Sequence, residues 1–567
     1  MVARTRALSD PRWSPSGARL AWLEAFDGRT DLVVAPTDGS GPPIVVTGAT
    51  GAGSGFAWAS DDELVVPGAD GRLGVVAASG GLLRMLTTDG RALVPAVAAD
   101  GTVACVIERA DACDVVTVPL DGSAWPVRVS RADFAWDPAW APDGRLAWHE
   151  WDLPAVPWAD SRVVERASDG TIREVAAGPG CGQPRYSVSG RLGYLLGHRL
   201  CVDGEVVLDE EHEHGEPAWS PGARAWVWSP DGEEVAWCRN EAGFGRLVIG
   251  APGRRSARDL SKGWHRGLDW GPAGIACIRS GAVTPPGVTV LAPNGSARRT
   301  VARGPVGGFE AVGLVEPRAV SWRSGSVTVP GLLWRAGTDR GAGLLVLVHG
   351  GPTGQALADW NPRVQAFVER GWTVLQPNHR GSSGYGEEFR TALDGHWGEH
   401  DGADVAAGIR HATREGWADA GRVVVMGGSA GGFTVLNVAA HHPDLVAAVV
   451  ALYPVTDLLA LDATTHRFES GYTQQLVGPL PAERARFVER SPITVAARIR
   501  VPVLLLHGGD DPVVPAEQSA ALAAALTTAG TPVEHHVLPG EGHGWRREAA
   551  VVEEWDRVED FLRRRVG

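Results

Sequence analysis

Arg422-Val423-Val424-Val425-Met426-Gly427-Gly428-Ser429-Ala430-Gly431-Gly432-Phe433-Thr434-Val435-Leu436 decides how this chain is read. The apolar, β-branched run predicts a buried strand, and Phe433–Ala440 predicts a helix. Between them sits a glycine turn carrying one serine. The turn must be tight and strained, and side chains beside the serine would collide with strand or helix. The N-terminus of the following helix directs partial positive charge at the place where an oxyanion would form. A bare Gly-x-Ser-x-Gly means little in a chain with 74 glycines. The strand–turn–helix context gives it weight, and Ser429 is read as a nucleophile.

The partners follow in the order Ser, Asp, His of an α/β-hydrolase. Val501-Pro502-Val503-Leu504-Leu505-Leu506 predicts another buried strand, running into His507-Gly508-Gly509-Asp510-Asp511-Pro512-Val513-Val514-Pro515. A carboxylate just past a strand end can hold a histidine in the tautomer that catalysis needs. Asp511 is preferred over Asp510, for its spacing from His507 and for the Val514-Pro515 that follows. Asp510 is left to solvent or the turn, and His507 to a structural role. His543, in Leu538-Pro539-Gly540-Glu541-Gly542-His543-Gly544-Trp545, is the one histidine of 17 in a glycine-flanked loop before the C-terminal helix.

Two backbone donors are expected at the oxyanion site. Ala430 N–H follows the nucleophile. The second comes from His349-Gly350-Gly351-Pro352, after the strand Leu344–Val348; Gly351 is the first choice and Gly350 stands close behind. The Tyr385 hydroxyl, in Asn378-His379-Arg380-Gly381-Ser382-Ser383-Gly384-Tyr385-Gly386, is either a supplementary donor or a packed loop anchor.

The first half of the chain follows a different rule. An aromatic or apolar residue precedes a small turn, and an alternating strand follows. Trp13, Trp58, Val97, Trp140, Tyr186, Trp228 and Trp270 mark seven such units, spaced by 45, 39, 43, 46, 42 and 42 residues. Short strands at this period, joined by turns such as Pro142-Asp143-Gly144 and Pro230-Asp231-Gly232, predict a seven-bladed β-propeller. The 23 tryptophans are then mostly blade packing. The domains are expected at residues 1–308 and 309–567, joined through Gly304-Pro305-Val306-Gly307-Gly308. Beyond a hairpin at 319–333, strands alternate with helices at 360–370, 404–415, 431–442, 516–529 and 551–565, which implies a parallel sheet covered on both faces.

A net charge of −14 and the lack of any basic run argue against a nucleic-acid partner. No stretch reaches the roughly 18 apolar residues needed to span a bilayer, and the first ten residues have no signal-peptide core. Six cysteines scattered without metal spacing (Cys105, Cys113, Cys181, Cys201, Cys238, Cys277) read as buried free thiols in a reducing cytoplasm. His212 and His214 read as part of an acidic solvated loop, so no metal and no cofactor are expected.

A seven-bladed propeller followed by a Ser–Asp–His hydrolase domain resembles the prolyl oligopeptidase family of serine peptidases. The motifs around Gly351, Tyr385, Ser429 and His543 carry that resemblance. Trp148-His149-Glu150-Trp151-Asp152 and Thr465-His466-Arg467-Phe468-Glu469-Ser470 are similar to segments of its bacterial acylaminoacyl-peptidase and dipeptidyl-aminopeptidase-like branch, which includes puromycin-hydrolysing aminopeptidases. Two departures stand out. Val513 occupies the place of an arginine that binds a substrate carbonyl in some members, and Ala430 that of a common tyrosine.

The resemblance implies a cytoplasmic peptidase acting on short peptides or aminoacyl amides, with no nucleic acid or membrane as partner; a homo-oligomer is compatible with the chain. Tyr453, Val455 and Leu458 are expected near the specificity pocket, with Val455 and Leu458 as its apolar wall or as ordinary packing. Glu469 or Glu150 is expected to anchor a substrate ammonium. Amino-terminal cleavage is the leading expectation. An N-acylaminoacyl peptidase, or an amidase, esterase or acyltransferase for one acylated metabolite, is the alternative.

Overall fold

The structure is a computed structural model that describes residues 6–47, 55–254, 257–304, 313–335, 337 and 342–567. Two compact units divide the chain, one within residues 6–306 and one within 307–567. The expected boundary at 308/309 and most of the glycine-rich linker lie outside the described residues.

The first unit contains seven antiparallel sheets in chain order, spanning 7–47, 57–85, 91–132, 134–178, 182–209, 213–262 and 264–303. Each blade is one contiguous stretch, because two-residue turns suffice to join antiparallel neighbours. Six blades have four strands. In the sixth the inner strand is split into Glu213–His214 and Trp226–Trp228, both paired to Val235–Glu241.

The residues that mark the repeat lie at or beside the end of each blade's first strand, and the tryptophans there tie blades together. Trp58 Nε1 donates to Arg12 O, Trp140 Nε1 to Ala96 O, and Trp228 Nε1 to Arg185 O. Each acceptor immediately precedes the marker of the previous blade. Trp13 Nε1 closes the ring by donating to Gly274 O of the seventh blade, at 3.0 Å. Indole suits this position because its body buries apolar area while its N–H reaches one partner.

Five of the first strands bulge at a positive-φ residue near the propeller axis, Asp10, Val94, Asp137, Gln183 and Gly267, and in the second blade Gly55 stands just ahead of the first strand. Gly222, in the loop that splits the sixth inner strand, makes a seventh. Gly222 N–H donates to Asp137 Oδ1 at 2.7 Å, and a carbon added to Gly222 would lie 3.8 Å from Val94 Cγ1. One added to Gly55 would lie 3.7 Å from the same atom and 3.6 Å from Asp10 Oδ2. Residues from different blades thus meet at the centre of the ring. Arg224 extends the hub by pairing with Asp10 and Asp269.

The second unit is an eight-stranded sheet: β1 (Arg318–Ser324), β2 (Val327–Trp334), β3 (Leu344–Val348), β4 (Thr373–Pro377), β5 (Val423–Gly428), β6 (Ala448–Leu452), β7 (Val503–Gly508) and β8 (Val533–Leu538). Their order is β1-β2-β4-β3-β5-β6-β7-β8, antiparallel through the β2/β4 pair and parallel from there on. The helices that matter below are α1 (His400–Arg414), α2 (Ala430–His441), α3 (Leu458–Thr464) and α4 (Arg484–Arg490). Val346, Val425, Val449 and Leu505 on successive central strands are fully buried in one apolar core. This burial on both faces explains why the strands read as unbroken apolar runs. Among the described residues, no helix is long and apolar enough to cross a membrane.

Candidate functional site

The carboxyl ends of β3, β5, β6 and β7 gather the residues singled out by the sequence. Ser429 links β5 to α2 with φ 55° and ψ −124°, a conformation strained for any residue but glycine. Its surroundings account for each flanking glycine. A Cβ on Gly427 would lie 2.4 Å from Gly431 O, one on Gly428 2.9 Å from the Tyr453 ring, and one on Gly431 2.4 Å from Val348 O. Strand, turn and helix are packed too closely for side chains there.

Asp510 and Asp511 are separated by burial. Asp510 is exposed, whereas the Asp511 side chain is fully covered. Asp511 Oδ1 accepts from the N–H groups of Val513 and Val514, and Oδ2 lies 2.7 Å from His543 Nδ1. Burial alone would raise the pKa of this carboxyl. Hydrogen bonds from His507, His543 and the Val514 N–H overcome that effect and hold it well below the usual carboxylate range. His507, buried at the end of β7, donates through Nε2 to Val514 O at 2.8 Å and so braces the turn that carries Asp511.

With Nδ1–H committed to Asp511, His543 keeps the lone pair on Nε2. Its loop is pinned by Glu541, which is buried and accepts from Arg546 N–H and Arg547 Nε. Nothing in the sequence distinguished Glu541 from a solvated loop carboxylate; the two basic residues five and six positions on were the available signal. Among the described residues, Ser429 Oγ and His543 Nε2 hydrogen-bond to no protein group, as is common for such pairs without substrate. Tyr453 stands between their loops. Its ring lies 4.7 Å from the His543 ring, and the same ring borders Gly428; its φ is 36°.

The loop after β3 abuts the serine. A Cβ on Gly350 would lie 3.5 Å from Ser429 Cβ, and Gly351 adopts φ 119°. His349 is half-buried, and desolvation of its ring lowers its pKa to about 3, with the neighbouring His379 adding to the effect; it stacks on His379 and meets Ser382 Oγ through Nε2 at 2.8 Å. Asn378 Nδ2 donates to the Tyr385 hydroxyl at 2.7 Å. Asp404 of α1 receives Arg380 N–H and its guanidinium, which anchors the same loop.

The remaining expectations divide. Val455 and Leu458 are 2% and 0% exposed, so they are core residues and form no wall open to solvent. Asp457 explains the difference: it caps α3 by accepting from Leu459 and Ala460 N–H, and this turns Leu458 inward. Both oxygens of Glu150 are engaged inside its own blade, by Arg162 Nε and Trp148 Nε1. Glu469 accepts from Thr465 Oγ1 and lies 3.8 Å from His466. It also adds to the field at Tyr472, whose hydroxyl bonds Thr353 beside the Gly351 loop. All six cysteines are buried, and none forms a disulfide. His214 is buried, and neither it nor His212 belongs to a metal-capable cluster among the described residues.

Known proteins share this architecture. A puromycin hydrolase structure is 27% identical, with 97% of this chain and 93% of that one covered at a TM-score of 0.88. A puromycin-hydrolyzing peptidase of Mycobacterium tuberculosis is 26% identical, with 100% and 95% covered at a TM-score of 0.91. Dipeptidyl aminopeptidase BIII of Pseudoxanthomonas mexicana is 32% identical over 209 residues, which are 36% of this chain and 30% of that protein. The sequence match to curated relatives therefore spans about a third of their length. Residues 358–567 match the model of the prolyl oligopeptidase family.

Proposed function

We propose that this chain is a serine peptidase that cleaves short peptides and peptide-like amides from their amino end through an acyl-enzyme. The observation that carries the reading is the 2.7 Å contact of His543 Nδ1 with the buried Asp511 carboxylate, beside the strained Ser429 turn. Ser429 Oγ attacks the substrate carbonyl while His543 Nε2 takes its proton; Asp511 fixes the tautomer and stabilises the imidazolium. The N–H groups of Gly351 and Ala430 receive the oxyanion, with the Tyr385 hydroxyl as a supplement. His543 then returns the proton to the leaving amine, and water repeats the cycle on the acyl-enzyme.

Amino-end cleavage rests on two features. Val513 cannot donate a hydrogen bond to a substrate carbonyl, so another anchor is needed. Glu469 supplies an acceptor for a free ammonium in the same domain as Ser429. The likeness to puromycin-hydrolysing proteins, over nearly the full length of each, supports aminoacyl amides as substrates. A cytoplasmic setting belongs to this reading, and the six buried thiols support it.

Free-amine aminoacyl anilides should be cleaved ~10- to 100-fold faster than their N-acetyl counterparts, equivalent to roughly 1.4–2.7 kcal/mol, and Glu469→Gln should shrink that ratio. Faster turnover of the acetylated series would reject the amine anchor and install the acylaminoacyl-peptidase reading in its place.

A further inference from the structure

Ahead of α1, the chain makes a helical turn in which His400 N–H donates to His396 O at 3.1 Å. This places His396, Glu399 and His400 on one side of the turn. We propose that these three side chains form a binding site for a divalent transition-metal ion of the zinc type, separate from the Ser429 site. One ligand atom from each lies within 4.8 Å of the others, and no other such group of His, Cys, Asp or Glu exists among the described residues. Bonds of about 2.0–2.1 Å to one ion need the donors somewhat closer together, a shift that side-chain rotation supplies. Two imidazoles, one carboxylate and an open fourth position suit zinc, and the mixed N/O donor set disfavours calcium and magnesium.

The supports around the three groups are those of a metal site. His400 Nδ1 faces Ala392 O at 2.9 Å, which fixes Nδ1–H as donor and leaves Nε2 as the ligand atom. The two imidazole rings lie parallel, 4.1 Å apart with an interplanar angle of 6°. Glu399 Oε2 is held by Arg490 of α4 at 3.1 Å and by His396 Nδ1 at 3.2 Å, so Oε1 is the oxygen that faces an ion. Arg490 also binds Gly395 O and Trp397 O, and so shapes the turn rather than merely neutralising its carboxylate. Burial lowers the pKa of His400, which favours the neutral form that binds metal.

The turn is also wired to α2. Asp401, fully buried, accepts from Gly398 N–H at 2.7 Å and from Thr434 Oγ1 at 2.6 Å, and Thr434 Oγ1 in turn reaches Ala430 O at 3.1 Å. The scaffold is therefore in place before an ion arrives, and an ion there would stiffen the contact with the first turn of α2.

The test is calorimetric titration of the full chain with zinc chloride at pH 7.5, alongside thermal unfolding with and without zinc. One ion per chain and a higher Tm are expected. Both effects should vanish in a His396→Ala, His400→Ala double variant, and Glu399→Gln should weaken binding by at least 10-fold. Lowering the pH to 5 should release the ion, because protonated imidazoles cannot ligate. The double variant should keep its own unfolding transition and its covalent labelling by a fluorophosphonate, which separates loss of the site from loss of the fold. No zinc uptake by the wild type, or undiminished uptake by the double variant, would overturn the assignment.

Discussion

Both units hold residues in positive-φ conformations that side chains resist, but they distribute them differently. In the hydrolase unit, Ser429 and Tyr453 are the two such non-glycine residues among those described; they stand at adjacent strand ends, with the Tyr453 ring against His543. In the propeller, Asp10, Val94, Asp137 and Gln183 recur at the same place in the first, third, fourth and fifth blades, each within a strand register shift. Strain that occurs once marks chemistry; strain that repeats with the fold marks architecture. The meaning of a backbone outlier therefore depends on whether its neighbours in the repeat share it.

The sharpest way to break that contrast is to remove the group the singular strain presents. Ser429→Ala should fold with an unchanged circular dichroism spectrum and lose kcat by roughly a millionfold; appreciable residual turnover would place the nucleophile elsewhere. Asp511→Asn should cost about 10⁴-fold in kcat, through the wrong tautomer at His543. Asp510→Asn, at the exposed neighbour, should change kcat little, and equal losses at the two would undo the assignment. Tyr385→Phe should lower kcat by about 100-fold if the hydroxyl reaches the oxyanion, and leave it near wild type if it only anchors the loop.

Acid should separate the two units by stability. Burial lowers the pKa of His149, His214 and His265 in the propeller, and of His349 in the hydrolase unit, each to about 3. An unfolded histidine takes up a proton near ~6.5. Between these values the unfolded chain binds more protons than the folded one, so stability falls as pH drops below about 6.5. Calorimetry at pH 7.5 and 5 should show the larger downward shift in the propeller transition. A larger shift in the hydrolase transition would show that His400, His442, His535 and His536, whose pKa values burial also lowers, dominate instead. The smallest effect is expected at Val94. Val94→Gly relieves a strain of about 1–3 kcal/mol and forfeits about 1.5–3 kcal/mol of burial, so Tm should barely move and kcat/KM should stay unchanged.

The sequence carried the features that repeat or that obey one local rule. The blade markers were readable because each indole performs the same task in successive blades, and Ser429 because its glycines answer to backbone contacts a few residues away. Less was readable between 456 and 490, where α3, Tyr472–Val477 and α4 are short and take their positions from tertiary packing. Leu458 shows the difficulty. Whether it faces a pocket or the core depends on the Asp457 cap, which the apolar pattern does not encode. Helix α1 begins at His400, four residues ahead of expectation, because Gly398 and Gly402 masked a turn held by Asp401. The split inner strand of the sixth blade was hidden for another reason: its marker, Trp228, lies on the second piece.

The crowded hub of the propeller has a consequence for how such a chain diverges. Seven copies of a motif can be alike on the rim, where each has its own space, but all seven share a single centre. Val94 occupies room that Gly55 and Gly222 leave vacant, and Asp137 uses an N–H that Gly222 provides. Identical bulky residues at all seven points would not fit, so perfect internal symmetry is sterically forbidden there. Drift at any one of these positions is coupled to the residues it faces across the ring, and the irregularity of the repeat is a requirement of closing it.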